Sequence, residues 1–104
     1  MHEVAPLVRA RQLIQSGALA EAGPIVRWAA ATAPGSAVAM TLAAQIAMRR
    51  AATGDAVRYF TRAALIGGTA DCRTLLNLAR AQEMAGLSGA ALATTRGAVD
   101  RFPD

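Results

Sequence analysis

Side chains able to do acid–base, nucleophilic or metal chemistry are scarce in this chain. It has one His, one Cys and seven acidic residues against eleven arginines, and no lysine. His2 sits at a chain end expected to fray, where a solvated tail residue is a better reading than a general base. Cys72 has only Arg73 beside it as a basic partner; a small, partly buried residue at a helix start explains it better than a nucleophile. Asp55, Asp71 and Asp100 fall near expected helix boundaries, where capping and the helix dipole account for carboxylates. No spacing matches a zinc, calcium or phosphate-binding motif, and Gly67-Gly68 lacks the strand and lysine of a P-loop. No enzyme, metal or cofactor is therefore expected. The chemistry left is arginine chemistry: planar, fork-shaped donors suited to carboxylates.

The elements that would position those arginines are helices. The 104 residues suffice for one domain, and 27 of them are Ala. Strand-like alternation is absent, while Ala, Leu, Arg, Gln and Met favour helix. Small breakers recur at Ser16-Gly17, Ala33-Pro34-Gly35-Ser36, Thr53-Gly54-Asp55, Gly67-Gly68-Thr69 and Gly86-Leu87-Ser88-Gly89. They cut the chain into six segments of roughly 11–16 residues, and short turns make successive helices antiparallel. Gly23-Pro24 falls early in the second segment and predicts a late start or a distorted first turn there. Trp28 to Met48 is uncharged and long enough to span a bilayer, but Pro34-Gly35-Ser36 at its centre makes it two helices and a turn. A lone cysteine allows no internal disulfide, and no export signal opens the chain, so the cytoplasm is the expected compartment.

A shift of 69 residues brings out a repeat. It aligns eight identical pairs: Leu7/Leu76, Ala10/Ala79, Arg11/Arg80, Gly17/Gly86, Ala22/Ala91, Arg27/Arg96, Ala29/Ala98 and Pro34/Pro103. About three would arise by chance from this composition. The middle of the chain fills the half-period, with Ala56 matching Ala22 and Ala91, and Ala63 matching Ala29 and Ala98. Three units follow, approximately 3–36, 37–70 and 71–104. Small residues at Ala22, Ala56 and Ala91 are the expected helix crossings. Trp28, Tyr59, Phe60 and Phe102 are read as packing residues, Phe60 above all.

The sequence of a small residue, a Gly turn, Ala, a bulky residue, Ala and a closing Pro resembles the tetratricopeptide repeat family. The first unit supplies Ala10, Gly17, Ala22, Val26, Ala29 and Pro34; the third supplies Ala79, Gly86, Ala91, Thr95, Ala98 and Pro103. The middle unit keeps Ala44, Ala56, Phe60 and Ala63, but Gly54 lies three residues late and Gly68 replaces the Pro. The resemblance implies an all-α, right-handed α-α superhelix of three antiparallel hairpins, whose first helices line a concave groove for a peptide.

On the repeat alignment, Arg11, Gln45 and Arg80 form one row across those first helices, and Leu7, Thr41 and Leu76 a second. Ile14, Met48 and Glu83 form a third, with Arg49 following Met48. The expected groove residues are Leu7, Arg11, Thr41, Gln45, Met48, Arg49, Leu76 and Arg80, with a protein or peptide partner that is acidic or carboxylate-bearing. The family's clamp for C-terminal carboxylates uses a Lys and Asn pattern missing here. Nucleic acid is the rival suggested by a pI near 11.0, but the net charge is only +4 and no aromatic stacking platform is apparent. Neither nucleic acid nor membrane is the expected partner. No polar-backed helix closes the third unit, so Leu92, Val99 and Phe102 are expected to be covered by another protomer or by downstream sequence. Two functions stay open: an adaptor gripping a peptide, or a structural module of a larger enzyme or secretion or assembly component.

Overall fold

The computed structural model describes residues 4–33, 35–66 and 72–103. Six α-helices and no strand occur among them: α1 (Val4–Gln15), α2 (Leu19–Thr32), α3 (Ala37–Arg49), α4 (Thr53–Leu65), α5 (Cys72–Met84) and α6 (Ser88–Arg101). His2, Pro34, Gly67, Gly68, Thr69 and Asp71 lie outside the described residues. Helices of 12–14 residues are short for independent stability, so tertiary packing must hold them. Each packs on its neighbour in sequence, and α1 also packs on α3. α3 has no comparable contact with α5. The described helices span 34 × 28 × 23 Å, and their sequential packing is consistent with a helical repeat.

The turn inside each hairpin repeats atom for atom. The amide of Gly17 donates to Ile14 O and that of Ala18 to Leu13 O; Ala51 and Ala52 donate likewise to Met48 O and Ala47 O, and Gly86 and Leu87 to Glu83 O and Gln82 O. These are Schellman closures, which need a left-handed residue after the helix. Gly17 and Gly86 supply it at φ +86° and +82°, and Ala51 at +60°. The middle turn therefore falls at Ala51, in register with the other two, and Thr53-Gly54-Asp55 is the first turn of α4 rather than a break. Hydrogen bonds place that turn, not glycine. α2 also departs from expectation: it begins at Leu19 and runs unbroken through Pro24. Buried contacts at Ala22 and Gly23 hold it helical where the proline removes a donor. Between the first two hairpins, Ser36 caps α3, its Oγ accepting from the Ala39 amide at 3.1 Å.

Alanines occupy the crossings. Ala10, Ala22, Ala44 and Ala56 are wholly buried, which lets helix backbones approach closely. Leu7, Ile14, Val26, Leu42 and Ile46 join α1, α2 and α3 into one core cluster. Phe60 centres a second with Ala44, Ala56, Leu78 and Ala81, joining α3, α4 and α5. Phe60 packs as expected, but Trp28 is 55% exposed and belongs to neither core. Val26 and Ala29 already fill the inner face of α2, leaving the indole on the outside.

Candidate functional site: an arginine-lined groove

A groove of about 910 Å³ runs across α1, α3 and α5, with Phe60 and Ala63 of α4 in its wall. It lies where α3 and α5 make no contact comparable to that between α1 and α3. Six expected residues come together here: Arg11, Thr41, Gln45, Met48, Arg49 and Arg80. The row Arg11–Gln45–Arg80 thus faces one space from three helices.

The row Leu7–Thr41–Leu76 does not stay together. Leu7 is 7% exposed and packed in the first core cluster, so it is a core residue and not a groove residue. Thr41 lines the groove, half-buried. Leu76 is 47% exposed and lies off the groove wall. Equivalent positions diverge because α1 is pressed onto α3 while α5 is not. In the third row Ile14 and Met48 line the groove, and Glu83 is exposed and off its wall.

Repeat alignment missed Arg73 and Asn77, which also line the groove. The signal was helical spacing. Arg73, Asn77, Arg80 and Met84 follow i, i+4, i+7, i+11, one continuous face of α5. On α3 the spacing i, i+3, i+7, i+10 likewise puts Val38, Thr41, Gln45 and Met48 on one helical face.

Among the described residues, charge in the groove has one sign: Arg11, Arg49, Arg73 and Arg80 line it, and none of the lining residues is Asp or Glu. All four are exposed, and the one ion pair among the described residues lies elsewhere: Arg58 Nη2 to Asp55 Oδ1 at 3.0 Å on α4. Between the arginines the wall is neutral or apolar: Gln45 and Thr41, then Met48, Val38 and Ile14. Like charges on low-dielectric walls focus a positive potential where a ligand would lie. Guanidinium groups beside an apolar strip can hold carboxylates and bury a side chain between them.

Other chemistry is thin among the described residues. No group of His, Cys, Asp and Glu is placed to hold a metal ion, and Cys72 is a half-buried free thiol at the start of α5. No described helix is long and apolar enough to cross a membrane. Against known proteins, no family model matches the chain, and no curated sequence matches it.

Proposed function

We propose that the chain is a non-enzymatic protein-interaction scaffold of tetratricopeptide type, a right-handed superhelix that holds a partner peptide in its groove. The observation that carries this reading is the composition of the groove's described residues: four arginines and no acid around an apolar strip, the arginines drawn from α1, α3 and α5. A three-fold repeated turn with left-handed residues at Gly17, Ala51 and Gly86 supports the repeat architecture behind it. Charge reversal tests the proposal. The double variant Arg11→Glu, Arg80→Glu should lose capture of partner proteins from a source lysate while its circular dichroism is unchanged. Capture that persists in the folded double variant rejects the groove as the binding surface.

A second reading has its own support. The outer face of α6 carries Leu92 and Val99, 52% and 57% exposed, where the equivalent faces of α2 and α4 are covered by the next helix. On that reading the chain is one module of a larger assembly, with a further helical unit on α6 and no free peptide bound.

A further inference from the structure

Resting on the groove reading above, we infer that the occupant is an extended acidic segment, and that α5 reads two of its carboxylates spaced three residues apart. Arg73 and Arg80 lie on one face of α5, seven residues and about 10.5 Å apart along the axis. A polyproline II segment brings residues i and i+3 to the same side at about 9.3 Å, within the reach of two flexible guanidinium arms. A β-strand does not match: its same-side positions fall at about 6.8 or 13.6 Å.

Asn77 separates an extended backbone from a helical one. It lies between the two arginines on the groove wall, with no hydrogen-bond partner among the described residues. Its amide carries donors and an acceptor. An extended segment has free backbone N–H and C=O groups to meet them, whereas a helix has already paired its own. Gln45, on the facing α3, offers a second amide with the same chemistry. Met48 and Val38 supply the apolar strip against which a residue between the two acids would rest. Nucleic acid fits less well. The one aromatic side chain among the groove's described residues, Phe60, is 2% exposed and leaves no ring face for base stacking.

Calorimetric titration with capped eight-residue peptides, rich in Pro and Ala, tests the inference. One peptide carries a single Glu, one carries Glu at i and i+1, one at i and i+3, and one carries Lys at i and i+3. An eight-residue oligothymidylate is run alongside. The i, i+3 acidic peptide should bind about three- to tenfold tighter than the single-acid peptide. That advantage should vanish in Arg73→Gln and survive in Arg96→Gln, which alters an exposed α6 arginine outside the groove. Equal affinity for the i+1 and i+3 peptides would reject the spacing while leaving the groove reading intact. Lysine peptides binding as well as acidic ones, or tighter oligothymidylate, would reject an acidic peptide as the occupant. No binding of any peptide would reject the groove reading, and the inference with it.

Discussion

The first and third hairpins share eight identical positions, yet they are not equally finished. In the first, Leu7, Ile14 and Val26 are buried, and α3 covers the outer face of α2. In the third, Leu78 is the largest buried residue and the rest are alanines, while Leu76, Leu87, Leu92 and Val99 are each about half exposed. The contact between the two helices differs as well. The positions taken by Leu13 and Ile25 in the first hairpin, and by Ala47 and Tyr59 in the second, hold Gln82 and Thr94 in the third. There Thr94 Oγ1 donates to Gln82 Oε1 at 2.7 Å. A shared motif fixes the shape of a hairpin; the next hairpin supplies most of its burial. The third unit is therefore the edge that buries the fewest large apolar side chains, and its α5 carries two of the four groove arginines.

The largest expected effect separates the second unit from the third. Phe60→Ala removes the centre of the α3–α4–α5 core and should cost about 3–5 kcal/mol in urea unfolding. Thr95→Ala, at the equivalent position of α6, should cost under about 1 kcal/mol, because Thr95 is half-buried and bonds only its own helix at Ala91 O. Equal losses would mean that the third unit is as well packed as the second.

A smaller effect tests the polar contact. Gln82→Ala leaves Thr94 without its partner and should cost about 1 kcal/mol. Installing the first hairpin's residues, Gln82→Leu with Thr94→Ile, should instead stabilise by about 1–2 kcal/mol in the same urea titration. A destabilised double variant would show that the α5–α6 interface has no room for an apolar pair. The smallest effect compares the three turns. Ala51→Gly relieves a left-handed alanine at about 1–2 kcal/mol but adds freedom to the unfolded chain, so a net gain of about 0.5–1 kcal/mol is expected. Thermal unfolding reads that gain; a lower melting temperature would place the middle turn elsewhere.

How much of this was legible in the residues varies from place to place. Helix count, hairpin pairing and the alanine crossings follow from composition and period, because both are local or repeated signals. The middle turn was hidden, since Ala51 adopts a conformation that glycine normally advertises. Leu7 was misplaced because repeat alignment assumes equal surroundings, and α1 lies on α3 in a way that α5 does not. Trp28 was misread by its type alone. Arg73 escaped notice through its position: its equivalents are Val4 and Val38, so no charged row pointed to it, although the spacing of the α5 face did.

Amide hydrogen exchange with and without the capped i, i+3 di-glutamate peptide bears most directly on the central claim, that α1, α3 and α5 build a binding groove at the edge of an unequally packed stack. Without peptide, exchange should be slowest in α2, α3 and α4 and faster in α5 and α6. With peptide, protection should rise in residues 37–49 and 72–84 and stay unchanged in residues 88–101. Protection confined to α6, or none in α5, would contradict the assignment of the groove.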